Sequence, residues 1–262
     1  MKKRILSLIL ALSMVLSVLP LGAFAEGSNQ ELVIKRGVPV GTSGNGWSYD
    51  NNTQTLTLTS GTFDFSSTHP QNTSAGTQTE EPVKCAIVIE SGAEITGGTF
   101  EKKVTNNAGG TISGGIFQRT GSVTNEGANA TIENGTFNGK VTNNAGGIIS
   151  GGTFQDTCSV TNSGTIKKGT FKDVCSVTNE GANATIENGT FNNTGSVKNN
   201  SIISGGTFQN TGSVENWYTI SGGTFQSTSS VTNYGTITGN GTFHGTVTNE
   251  GTKATIENGT FN

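Results

Sequence analysis

The sequence predicts an all-β fold: a parallel β-solenoid of about ten short coils with an N-terminal β cap. Three observations carry this expectation. The triplet Gly-Thr-Phe returns ten times, ending at Phe100, Phe117, Phe137, Phe154, Phe171, Phe191, Phe208, Phe225, Phe243 and Phe261, and only Ile116 breaks it. Every gap between these phenylalanines is 17, 18 or 20 residues. A fixed period in that range marks a repeat array in which each unit covers its neighbour's apolar face. Within a period, Val, Ile and Phe follow one another at steps of six, five and six residues, as in Val160, Ile166, Phe171 and Val177.

That spacing places one large apolar residue on each of three sides of a coil. In Val160-Thr161-Asn162, strand alternation turns Val and Asn inward and Thr outward. Asn and Gly between the short strands supply the corners. No Pro follows Pro82, no Leu follows Leu58 and no Met follows Met14. Lack of Pro suits strands that donate to one neighbouring coil and accept from the other. The Gly-, Asn-, Ser- and Thr-rich composition would also suit disorder. A disordered tract, however, has no reason to hold Phe, Val and Ile in phase over ten units. The crossover is expected to be right-handed, as parallel connections generally are.

Two further regularities follow the same period. Asn106, Asn125, Asn143, Asn162, Asn179, Asn199, Asn216, Asn233 and Asn249 share one position and read as a ladder of amides bonded from coil to coil. Three coils, Val123 to Phe137, Val177 to Phe191 and Val247 to Phe261, carry a longer corner. The extra residues are expected to bulge there, where insertions cost little.

Ahead of the repeats, residues 1–25 read as an export signal. Lys2, Lys3 and Arg4 form its basic end, Ile5 to Val18 its apolar stretch, and Ala23-Phe24-Ala25 a cleavage site. Residues 26–45 form an irregular lead-in, residues 46–98 the cap and first coils, and residues 99–262 the solenoid repeats. Without the signal the chain has 12 basic and 18 acidic residues, a net charge of −6. Nucleic acid and membrane insertion are therefore not expected. The expected location is extracellular or on the cell surface. The chain stops one residue past a repeat Phe, so end-to-end association through an uncapped last coil is a further expectation.

The opening Gly46-Trp47-Ser48-Tyr49-Asp50 with Thr-Leu-Thr-Leu at residues 55–58, followed by coils of the type Val-Thr-Asn…Gly-Thr-Ile-Ser-Gly-Gly-Thr-Phe, resembles secreted repeat proteins of gut-dwelling Firmicutes. These are described as adhesin-like or carbohydrate-binding, with pectate-lyase-like parallel β-helices. The resemblance covers nearly all of the chain beyond residue 25. It implies a β-helix and a surface role, and it carries over no functional residue.

Enzyme chemistry finds little support in the residues. The four aspartates (Asp50, Asp64, Asp156, Asp173) do not gather, and His69 and His244 have no partner at ligand spacing. Asp156 and Asp173 take equivalent places in adjacent coils and read as a solvated pair rather than a calcium site. No catalytic residue, metal or cofactor is expected. Cys158 and Cys175 also share one position, within reach of a bridge. Their parallel Cβ directions tilt the reading toward a pair of thiols. Cys85 reads as a small core residue.

One surface feature breaks the pattern. Asn216-Trp217-Tyr218 aligns with Asn233-Tyr234, where other coils have small or polar residues after the Asn. Trp217 and Tyr234 are expected to stack on adjacent coils, with Tyr218 beside them. Self-stacking that firms the corner is one reading; a platform for sugar rings is the other. Ice binding through outward Thr columns finds only one clear pair, Thr236 and Thr238. The expected function is adhesin-like binding of glycans or of a host or neighbour surface protein. The alternatives are a polysaccharide-cleaving β-helix enzyme and a passive stalk of a longer surface protein.

Overall fold

The computed structural model describes residue 32, residues 34–66 and residues 82–262. Residues 1–25, expected from the sequence to be an export signal, and His69 lie outside the described residues. Among these there is no helix, and the chain winds into stacked parallel coils. Three sheets run the length of the stack, and each is named here for the residue it turns inward. The valine sheet has 13 strands, the isoleucine sheet 11 and the phenylalanine sheet 10.

Each coil meets the next in strict register. Val160 lies opposite Val177, Ile166 opposite Ile186 and Phe171 opposite Phe191. The alternation Val in, Thr out, Asn in holds along the stack, because a two-residue period leaves no other way to bury the apolar side chain. The ten repeat phenylalanines form one column, with neighbouring ring centroids 4.5–5.0 Å apart and planes within 19°. Strand spacing sets this distance, and aromatic rings tolerate it.

The triplet Gly-Thr-Phe is explained by this column. Gly189, for instance, has φ +138°, and a Cβ there would stand 3.3 Å from both the Phe191 ring and the Gly169 carbonyl. Only glycine accepts that backbone beside the folded-back ring.

The Asn column is a continuous ladder. The Nδ2 of each Asn, from Asn106 to Asn233, donates to the Oδ1 of the next at 2.6–2.8 Å. The same Nδ2 also donates to a carbonyl of its own corner, such as Gly147 for Asn143 and Gly164 for Asn162. That second bond dictates which way the amide faces, since only an NH₂ can donate to a carbonyl. At the N-terminal end Asn106 lies opposite Ile89, and its buried Oδ1 has no partner.

The long corners bulge between the valine and isoleucine sheets. Residues 126–130 separate Asn125 from Thr131, whereas only residues 163 and 164 separate Asn162 from Thr165, yet the strands on either side keep register. Gly127 (φ +91°) and Asn129 (φ +63°) make the extra bend, and Ala130 tucks beneath it, fully buried.

The N-terminal end is built differently. Trp47–Asp50 and Thr55–Leu58 pair antiparallel, and Thr55–Leu58 then pairs parallel with Ala86–Ile89, the next strand of the valine sheet. Trp47 and Tyr49 on the first strand are buried opposite Leu58 and Leu56. Phe65 meets Phe100 edge-on at 5.5 Å and closes that end of the phenylalanine column. At the other end Ile256 and Phe261 are 41% and 47% exposed.

One expectation is corrected. Cys158 and Cys175 are joined by a disulfide, with Cα atoms 4.6 Å apart. Adjacent coils bring the two backbones within bridging distance, and side-chain rotation overcomes the parallel Cβ directions. Cys85 is a buried free thiol, and burial pushes it up to about 11.

Candidate aromatic corner

The corner after Asn216 and Asn233 sits between the valine and isoleucine sheets. The ladder amides of these two Asn bond to each other at 2.7 Å, which locks both corners one strand spacing apart. Trp217 and Tyr234 each follow a ladder Asn, so their side chains leave the stack in the same direction. Their rings lie face to face, centroids 4.2 Å apart and planes 15° apart. Trp217 is 48% exposed and Tyr218 58% exposed.

Tyr218 projects because a tight turn lies beneath it. Thr236 N–H donates to the Tyr218 carbonyl at 2.7 Å. A Cβ on Gly235 would stand 2.2 Å from that carbonyl oxygen, so only glycine fits below.

Charged groups frame the rings. Lys198, one coil earlier, places its Nζ 5.8 Å from the Trp217 ring centroid, a cation–π arrangement. The indole Nε1–H donates to Glu215 Oε2 at 3.4 Å. On the far side Glu250 holds the Tyr234 hydroxyl above the usual phenol range, chiefly through a hydrogen bond to its carboxylate, with smaller contributions from burial and from the charges of Glu250 and Glu215. The order along the solenoid axis is thus Lys198, Trp217, Tyr234, Glu250.

The stack of Trp217 on Tyr234 anticipated from sequence is present, and Tyr218 stands beside it. The inner ring faces are closed on each other, and Lys198 lies over the other face of Trp217. Trp217 and Tyr218 remain exposed, and Tyr234 is half-buried. Sequence reasoning passed over Lys198 and Glu215. Their signal was present: both stand one residue after a repeat Val, where Thr is the rule, as at Thr105, Thr124, Thr142, Thr161 and Thr178.

The other residues singled out stay apart from this corner. Asp156 and Asp173 take equivalent places two residues past Phe154 and Phe171, both at positive φ, and Asp173 lies 3.5 Å from Lys172 Nζ. His244 contacts Asn262 at 3.4 Å. Among the described residues no three His, Cys, Asp or Glu side chains gather closely enough to hold a metal ion.

Fold and corner together define a class: a parallel β-solenoid with buried phenylalanine and asparagine ladders and an exposed aromatic corner framed by charge. Compared with known proteins, the chain matches no family model, no curated protein and no solved structure.

Proposed function

We propose that this is an adhesin-like binding protein, exported by residues 1–25, that recognises glycans on a host or neighbouring surface through Trp217, Tyr218 and Tyr234. The observation that carries the reading is the exposure of Trp217 and Tyr218 on a rigid corner. Aromatic side chains exposed in a cluster mark recognition sites more often than chance. The ladder beneath them is formed before any ligand arrives, so little ordering entropy is lost on binding. In this reading a sugar ring packs on Tyr218. Its hydroxyls bond to the carboxylates of Glu215 and Glu250, at the edges of the stacked pair. The resemblance to secreted, pectate-lyase-like repeat proteins of gut Firmicutes supports the extracellular setting. The proposed role is binding without turnover.

A glycan array read with the parent protein, Tyr218→Ala and Trp217→Ala/Tyr234→Ala tests this. Loss of the parent's signal in both variants, with β-type circular dichroism retained, is the expected result. Undiminished binding by both variants would place recognition elsewhere. New reducing or unsaturated ends after incubation with pectins and host glycans would overturn the non-enzymatic reading.

A further inference from the structure

The cations of this acidic protein are unevenly placed. Of the twelve Lys and Arg beyond residue 25, seven (Lys35, Arg36, Lys84, Lys102, Lys103, Arg119 and Lys140) precede residue 141. The fold brings them to one edge, the corner between the phenylalanine and valine sheets in the first coils. Lys102 and Arg119 each stand two residues past a paired phenylalanine, Phe100 and Phe117, and so form one column. Lys103 and Lys140 each stand one residue before the valine strand position that runs Val104, Val123, Val141, and so form a second column with Ser122 between them. All four are exposed.

Lys35 and Arg36 extend the strip. They sit in a hairpin in which Ile34–Lys35 pairs antiparallel with Val38–Pro39, and the Gly37 carbonyl of its turn accepts the Lys84 N–H at 2.7 Å. Both are exposed.

Among the described residues, Lys102, Lys103, Arg119 and Lys140 make no ion pair. Glu101, half-buried, is the one carboxylate described on this edge as far as Lys140. The strip has a definite end: the column that holds Lys102 and Arg119 turns acidic at Asp156 and Asp173, at equivalent places past Phe154 and Phe171. The two columns run along the solenoid axis, with an axial repeat of about 4.8 Å per coil, close to the length of one sugar residue in an extended chain.

We propose that this edge binds a linear acidic polysaccharide, carboxylated or sulfated, laid along the axis across the first coils. The chemistry fits a strand of repeated anions. Unpaired ammonium and guanidinium groups in two parallel columns neutralise successive acidic sugars and release their counterions. Single-stranded nucleic acid is a poorer fit, because no aromatic side chain stands exposed among these cations to stack a base. The edge is separate from the aromatic corner. Lys140 opens the third repeat valine strand and Trp217 follows the seventh, which puts them four coils, or about 19 Å, apart along the axis. The two sites therefore stand or fall independently.

The test uses the full exported chain with heparin and polygalacturonate as probes. Two variants with the same charge change are compared: Lys102→Ser/Lys103→Ser on the edge, and Lys167→Ser/Lys168→Ser, an exposed pair at another corner. In about 100 mM salt the edge variant is expected to lose at least about tenfold in affinity for either probe, and the control pair less than about twofold. Both pairs are exposed, so unchanged circular dichroism melts are expected to show that folding is intact. Equal losses in the two variants, or a parent protein that binds neither probe, would overturn the proposal. Equal or tighter binding to single-stranded DNA or to polyphosphate would overturn the assignment to polysaccharide.

Discussion

The Nδ2 of Asn162 donates to the Oδ1 of Asn179 at 2.7 Å, from one coil to the next, in a fully buried position. Each such amide is satisfied only because its neighbours above and below are amides too. The ladder is therefore cooperative in a way that the apolar columns are not. Asn162→Leu is expected to leave the Oδ1 of Asn179 without a donor, at about 1–3 kcal/mol, and to take from the Nδ2 of Asn143 one of its acceptors, the Gly147 carbonyl remaining. Denaturant titration of the variant measures this. A loss no larger than that of an exposed-Thr substitution would mean that the ladder contributes little.

Phe171→Ala removes a ring from the middle of the aromatic column, where stacked neighbours cannot close the void. A loss of about 3–5 kcal/mol is expected. Phe261→Ala is expected to cost much less, because that ring is 47% exposed. Thermal melts of the two variants are the check, and equal losses would contradict an ordered stack.

The fold was legible in the sequence because its cause is periodic. A residue pattern repeated at 17 to 20 positions can bury Phe, Val and Ile only by stacking in register, and Thr161 between Val160 and Asn162 marks which side faces out. The partners of the corner were not legible in the same way. Lys198 is marked in the sequence by standing where Thr is the rule, but its meeting with Trp217, like that of Glu250 with Tyr234, depends on side-chain conformations, which a one-dimensional alignment does not contain. The bridge between Cys158 and Cys175 is not legible for the same reason: register predicts the Cα separation, but rotamers decide whether the sulfurs meet.

The bridge itself closes a loop with a sequence separation of 17 residues. Cys158→Ser/Cys175→Ser is expected to lower stability by about 3 kcal/mol, through the larger entropy of the unfolded chain. Parent and variant compared in denaturant under oxidising conditions give the difference. Reducing agent is expected to abolish that difference once the buried bridge opens; a parent no more stable than the double variant would contradict it.

Cys85 titrates at about 11 instead of the usual thiol value near 9, because burial disfavours the thiolate. A raised value in the fold means that the neutral thiol's contribution to stability is complete below about pH 9 and is lost as pH rises through about 11. At about pH 8 the native protein is expected to resist alkylation at Cys85 and to react fully once unfolded. Mass spectrometry of iodoacetamide-treated samples reads this out, and rapid native labelling would contradict the buried placement.

Recognition at the aromatic corner is the central functional claim, and fluorescence tests it most directly. The chain has two tryptophans, of which Trp47 is buried in the cap at 3% exposure and Trp217 lies at the corner. In a Trp47→Phe background, emission comes from Trp217 alone. Titrating this variant with a glycan that the parent binds on the array is expected to give a saturable change in Trp217 emission, absent when Tyr218→Ala is added. Saturable binding of the same glycan by calorimetry, with Trp217 emission unchanged, would contradict the account.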